Sequence, residues 1–403
     1  MWGNQQFRAY LANTGTASLG LAMQQLLLSW TLVGILELPA DQVGLLQGLI
    51  GIPAVFLMLL GGARSDSSDP KQLLTFVYFI APVFPLFLFA ATLTDYFNVG
   101  TVLVWALGIS VVQALSTPAQ QAILNRIMVD QVQVGVTAAT AVTFVVQVLG
   151  ILIAGQLDQV GVGTVLVVQG MSFAAAAFVL RYVQAQAPLH PQTSSAVSQI
   201  KEGFKAALQD KVIPHVLVIN FISTVFNAGS FMTVFPFVVK RVYEGDAFLL
   251  SVLMAVFFAG GASANSLLLR FQPLLRPGRV YLVLQLSRII VLFLVIVKGD
   301  LWLLFLATLL WGMNMGVTSN LSRLLVQEIA APEFRGRILA VFSVSMVGSA
   351  PIGAVVLGFL IEQVGTLNAL LPAMLVSLLL GTYGIFLSPI WRYQSTLPNR
   401  SET

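Results

Sequence analysis

The chain has 403 residues, 57% of them hydrophobic and only 9% charged, with a mean hydropathy of +0.89. So little polar surface excludes an ordinary soluble enzyme and places the chain in a bilayer. The absence of cysteine excludes disulfides, iron–sulfur clusters and thiolate zinc sites.

Turns marked by Gly, Pro and charge clusters predict twelve apolar helices, each long enough to cross a hydrocarbon core, over residues 9–35, 42–64, 71–92, 98–124, 133–157, 163–183, 213–239, 247–269, 279–297, 301–326, 336–361 and 366–390. The segment from Met1 to Arg8 lacks a basic run, and the first span is too long for a signal-peptide core, so that span is expected to be retained. The first span holds Asn13, Thr16, Gln24 and Gln25; the fourth Ser110, Gln113, Thr117 and Gln120; the seventh Asn220, Ser223, Thr224, Asn227 and Ser230; and the tenth Asn314, Thr318 and Ser322. Their spacing puts each set on one helix face. Polar stripes recurring every third span predict a polar cavity lined by symmetric helices, and Gln24, Gln113, Gln147, Asn220, Asn227, Arg288 and Asn314 are the candidate substrate-binding residues. The competing reading of any single Asn, Gln, Ser or Thr is a hydrogen bond between helices, about 0.6 kcal/mol on average.

Sixteen of the twenty Lys and Arg fall at turns sharing one side of such a bundle, from Arg8 and Arg64 to Arg392 and Arg400. The opposite turns hold Lys240, Arg241 and Lys298, and Arg288 lies in mid-span. By the positive-inside rule both termini are expected in the cytoplasm. The pI of about 9.4 does not point to nucleic acid, because the bases are dispersed along inner turns where they meet anionic headgroups. Arg288 has no acid at its depth; it either braces the ninth helix through carbonyls or Gln285, or attracts an anionic cargo.

Residues 184–211 form one long inner connection between two sets of six spans. Val197, Ile200, Phe204, Ala207 and Leu208 recur there at helical spacing opposite Lys201, Glu202, Lys205 and Asp210, which predicts an amphipathic helix along the inner surface; a plain polar linker is the alternative. The expected organisation is an N-terminal six-helix bundle over 1–183, the linker, and a C-terminal bundle over 212–403. Asp158-Gln159-Val160-Gly161 after the fifth span matches Glu362-Gln363-Val364-Gly365 after the eleventh, as a duplicated six-helix unit would require.

The turn between spans two and three reads Gly61-Gly62-Ala63-Arg64-Ser65-Asp66-Ser67-Ser68-Asp69-Pro70-Lys71. Here the chain resembles the major facilitator superfamily, whose signature at this turn is Gly-x-x-x-Asp-Arg-x-Gly-Arg-Lys. Gly62, Asp66 and Lys71 match, whereas Ser67 stands at the first Arg and Pro70 at a later base. Ser116-Thr117-Pro118-Ala119-Gln120-Gln121-Ala122-Ile123-Leu124, Pro332-Glu333-Phe334-Arg335-Gly336-Arg337 and Ser349-Ala350-Pro351-Ile352-Gly353 are similar to the branch that includes the enterobactin exporter and the macrolide efflux proteins. The resemblance implies an all-α fold of two pseudo-symmetric six-helix bundles, an inner gate at Gly62, Asp66, Lys71, Arg335 and Arg337, and a bacterial inner-membrane location.

The expected function is secondary efflux of a small amphipathic molecule, siderophore or drug-like, by alternating access in exchange for protons. Asp66, Asp158, Glu328 and Glu362 are the candidate titrating groups. An importer or a lipid or lysophospholipid translocase on the same fold, and a non-transporting sensor or scaffold, are the rival readings. His190 in the linker and His215 at a span end read as surface groups, and no paired carboxylates or zinc motif can be assembled in the membrane, so neither enzymatic activity nor a cofactor or metal is expected. The partners expected are a small-molecule substrate, protons and membrane lipids, with no nucleic acid, and the chain is expected to be a monomer.

Overall fold

The structure, a computed structural model, describes residues 4–67, 69–128, 132–184, 196–271 and 273–395, with side chains for all of these except 59–67, 132–134, 196, 197 and 199. Among the described residues, twelve helices are long and apolar enough to cross a membrane: Gln5–Ile35, Ala40–Met58, Pro70–Thr92, Val99–Ile127, Gly135–Ala154, Val162–Tyr182, Ile213–Val242, Ala247–Leu269, Pro277–Ile296, Leu301–Ile329, Arg335–Val364 and Asn368–Phe386. The twelve predicted spans agree to within a few residues, and the described residues contain no strand. A separate helix, Ala196–Gln209, lies in the linker.

Local chemistry explains many of the helix starts. The Asn4 side chain accepts the amides of Gln6 and Phe7 ahead of the first span, Asn98 and Thr101 form a capping box on the fourth, and Asp210 accepts the amides of Val212 and Ile213 before the seventh. Pro70 and Pro277 occupy first-turn positions, where the missing N–H is no loss. Within the seventh span a π-helical turn, Ser230–Val234, precedes Pro236, whose ring crowds the carbonyl four residues back at Met232.

By Cα proximity the chain forms two units. Unit 1 comprises Met1–Leu38, Leu49–Ala196 and Gly245–Val252; unit 2 comprises Pro39–Gly48, Val197–Glu244 and Leu253–Thr403. Each unit thus includes the first turns of a span whose remainder belongs to the other.

The helix pairings repeat. In unit 1 the first span packs on the fourth, fifth and sixth, and the third on the fourth and sixth; in unit 2 the seventh packs on the tenth, eleventh and twelfth, and the ninth on the tenth and twelfth. Backbone detail repeats as well. Glu37 and Glu244 adopt left-handed φ values of 47° and 51°, and Gly161 and Gly365 values of 84° and 88°. π-Helical turns close the first span at Thr31–Ile35 and the seventh at Val238–Val242. Non-glycine residues rarely adopt positive φ, so its recurrence at matching places supports duplication more strongly than a short sequence match.

Close helix approach in unit 2 depends on Gly353, where an added Cβ would collide with the Val225 carbonyl and lie 3.1 Å from the Gly229 Cα. At Gly358 it would meet the Ala40 carbonyl and lie 2.9 Å from the Gly44 Cα. Small residues let backbones pack at this distance in lipid, where packing rather than a hydrophobic force joins helices.

Candidate functional site

In unit 1, Gln169 of the sixth span is fully buried. It accepts from Trp105 Nε1 at 3.2 Å and donates to the Gly20 carbonyl at 3.1 Å and to Gln24 Oε1 at 2.9 Å. Gln24 is half-buried, and its own Nε2 is buried with no partner. Gln113 is exposed on the fourth span and Gln147 half-buried on the fifth. Nearer the Lys/Arg-rich face of this unit, Gln120 donates to the buried Tyr78 hydroxyl at 2.7 Å. The three predicted glutamines are not joined by hydrogen bonds, and the residue that fixes Gln24 is Gln169. A lone amide in an otherwise apolar span was the signal for it.

In unit 2, Arg288 is 2% exposed at the centre of the ninth span. Its Nε and one terminal nitrogen donate to Asn314 Oδ1 at 3.2 and 3.1 Å, that nitrogen also to Thr318 Oγ1 at 3.4 Å, and the other to Ser223 Oγ at 2.5 Å and Gln285 Oε1 at 2.9 Å. A guanidinium has five N–H donors, and five bonds reach side-chain oxygens of four residues. Asn314 is held in turn, since its amide donates to the Leu284 carbonyl at 2.7 Å and Ser287 Oγ at 2.9 Å. No carboxylate joins this network among the described residues. Charge-assisted bonds to neutral oxygens offset part of the desolvation of the cation.

Asn227 accepts from the fully buried Trp311 Nε1 at 2.7 Å, and Trp311 stands edge-on to Phe231, Phe235 and Phe257. Asn220 is 6% exposed, with its Nδ2 unpartnered. Of the four candidates in unit 2, then, Arg288 and Asn314 bond directly, Asn227 is pinned by an indole, and Asn220 keeps a free amide. A further pair, Thr233 and Gln47 of the second span, meets at 2.7 Å. The seventh-span π-helical turn that carries Thr233 has no simple periodic signature.

Of the gate residues, Gly62 and Asp66 lie in the second helix at positions whose side chains are outside the described residues, as does Arg64. The Lys71 amide donates to Asp69 Oδ1, which caps the third span. Arg335 is exposed at the start of the eleventh, and Arg337 pairs with Glu202 of the linker helix at 2.9 Å. At the Lys/Arg-poor face, Asp158 Oδ2 accepts the Ala247 amide that begins the eighth helix, and Glu362 Oε1 accepts the Ala40 amide that begins the second. Trp30 also donates to Asp158, and Arg241 to Glu362.

Among the described residues, the buried polar side chains of the spans are amides, hydroxyls and the guanidinium of Arg288, so the interior offers an organic solute hydrogen bonds to neutral groups. No cluster of metal-ligating side chains occurs among the described residues.

Solved structures of the same fold include the nucleoside transporter NupG (TM-score 0.79, 13% identity, covering 97% of this chain and 100% of that one). A bacterial homolog to the human lysosomal transporter Spinster, in an inward-facing conformation, gives a TM-score of 0.76 at 14% identity over 98% and 99% of the two chains. A peptide transporter of the POT family gives 0.74 at 12% over 96% and 95%. No curated protein sequence matches the chain. A family model described as transmembrane secretion effector matches residues 2–399. Twelve candidate spans, a duplicated six-helix pattern and a match over nearly the whole length agree, and the chain belongs to the transmembrane secretion effector family, as a membrane transporter of the major facilitator type.

Proposed function

We propose that the protein is a secondary exporter of small amphipathic organic molecules, siderophore-like or drug-like, working by alternating access in the bacterial inner membrane with both termini in the cytoplasm. The observation that carries this reading is the neutrality of the buried polar groups in the first, fourth, seventh and tenth spans, away from the charged span ends and set among apolar and aromatic side chains. Such walls suit a cargo that is mostly apolar with a few hydrogen-bonding groups. The family's secretion description favours the outward direction.

In this reading Gln24, Gln113, Gln147 and Asn220 contact cargo. Arg288, Asn314 and Asn227 form the fixed frame behind them, because the guanidinium, the Asn314 amide and the Asn227 oxygen are already engaged within unit 2. The exchange ion is the proton, carried by a carboxylate at a span end among Asp66, Asp158, Glu328 and Glu362. The gate at Gly62, Asp66, Lys71, Arg335 and Arg337 rests on the signature turn, and the working form is a monomer.

The test is accumulation of a panel of fluorescent amphipathic compounds in bacteria lacking their main efflux pumps. Expression should lower accumulation, and a protonophore should abolish the difference. Raised accumulation in energised cells would identify an importer, and lipid movement in vesicles without a gradient a translocase.

A further inference from the structure

The linker helix Ala196–Gln209 docks on unit 2 through its small residues. Ala207 is fully buried in the core beside Ile213, Ile338 and Phe342, and a Cβ at Gly203 would collide with the Arg337 carbonyl. Two bulky apolar residues of the same helix face away, with Phe204 52% and Leu208 57% exposed. Lys201 and Lys205 are exposed as well. Positions 201, 204, 205 and 208 fall at i, i+3, i+4 and i+7, so, in place of the opposed apolar and charged faces expected from the sequence, two bases and two large apolar groups share one exposed helix face.

The acids nearby are already engaged, although Glu202 stays exposed. Glu202 is paired with Arg337 at 2.9 Å, and Asp210 accepts the amides of Val212 and Ile213. Neither Lys201 nor Lys205 is in an ion pair among the described residues. The outward face is therefore basic and apolar together, a combination that suits the boundary between anionic headgroups and acyl chains.

We propose that Lys201, Phe204, Lys205 and Leu208 form a seat for the anionic phospholipid surface, with the lysines on headgroup phosphates and Phe204 and Leu208 among the acyl chains. The Glu202–Arg337 pair and the Gly203 contact tie this helix to the first turn of the eleventh span, so lipid charge acts on the start of that span.

The chain has no native cysteine, so Phe204→Cys can carry a single environment-sensitive bimane label. The labelled protein is reconstituted in phosphatidylcholine vesicles with and without phosphatidylglycerol. With the anionic lipid, emission should shift to the blue, and quenching by a brominated lipid should rise while quenching by iodide falls. Replacing both lysines, Lys201→Gln with Lys205→Gln, should lower the ratio of lipid-seated to free helix about thirtyfold. Replacing both with Arg should restore it, which separates charge from folding. Equal emission in the two vesicle types, or no effect of the double Gln variant, would overturn the proposal. Iodide access in every vesicle, with protection only when a soluble protein is added, would overturn it in favour of a protein partner. Transport is not part of the readout, so failure here leaves the export reading standing and failure of export leaves this one.

Discussion

Asp158 Oδ2 lies 2.9 Å from the backbone nitrogen of Ala247, and Glu362 Oε1 lies 2.8 Å from that of Ala40. Each carboxylate follows one repeat's fifth helix and closes the first amide of a helix that begins in the other half of the sequence. A carboxylate there meets both an unpaired N–H and the positive end of the helix dipole. Removing the acceptor, Asp158→Ala or Glu362→Ala, should cost about 1 kcal/mol of stability each. Asp158→Asn should cost less, because its amide oxygen still accepts. Thermal unfolding of purified protein in detergent checks the order.

Arg288 provides a sharper contrast. Arg288→Gln would leave the Asn314, Ser223 and Gln285 oxygens without their shared donor, a loss of about 3 kcal/mol or more. Arg288→Lys should also lose folded protein, since three donors on a compact head cannot span five bonds. The yield of monodisperse protein after solubilisation should fall in both variants. Cargo affinity reduced at unchanged yield would instead assign Arg288 to the binding site.

Glycine substitutions should separate close packing from backbone strain. Gly353→Leu pushes against the Val225 backbone and should reduce folded protein severely, with Gly353→Ala intermediate. At Gly365, φ is 88° and ψ 161° with open space around the Cα, a backbone region nearly confined to glycine, so Gly365→Ala should cost about 1–3 kcal/mol from backbone strain alone. Expression level and apparent melting temperature distinguish the two classes.

The Arg337–Glu202 pair is 39% and 45% exposed at its side chains, so a double-mutant cycle with Gln at both positions should return less than about 1 kcal/mol, and less still in high salt. Gly203→Val should weaken linker docking more than either charge removal, because any Cβ there collides with the Arg337 backbone rather than with the movable end of a side chain. Protease sensitivity of the linker measures both.

Near the chain's end, the Tyr393 hydroxyl donates to Glu328 Oε2 at 3.3 Å, and Ser395 Oγ donates to the other oxygen at 3.2 Å. Burial, with the adjacent Glu328 charge, pushes Tyr393 up to about 12 from an ordinary value of 10.0. A raised folded value means that the contribution is fully present below pH 10 and lost as pH rises toward 12. Tyrosinate absorbance should show Tyr393 titrating late in the wild type, and Glu328→Gln should bring its titration earlier.

The sequence by itself was enough for the twelve spans, since each needs only a long apolar run bounded by Gly, Pro or charge, and its backbone bonds are satisfied within the helix. It was enough for the duplication as well, through Asp158 and Glu362. The role of those two acids could not be read from position, because their partners, Ala247 and Ala40, are backbone amides far along the chain. The same holds for Arg288. Its mid-span placement and Gln285 were legible, whereas Ser223, Asn314 and Thr318 reach it from two other helices. Gln24 and Gln113 look alike in the sequence, yet one is held by a glutamine from the sixth span and the other is exposed. Composition and period determine which segments enter the membrane, because partition depends on each segment's own surface. Which polar group meets which depends on the rotation and crossing of packed helices, and only the tertiary structure decides that.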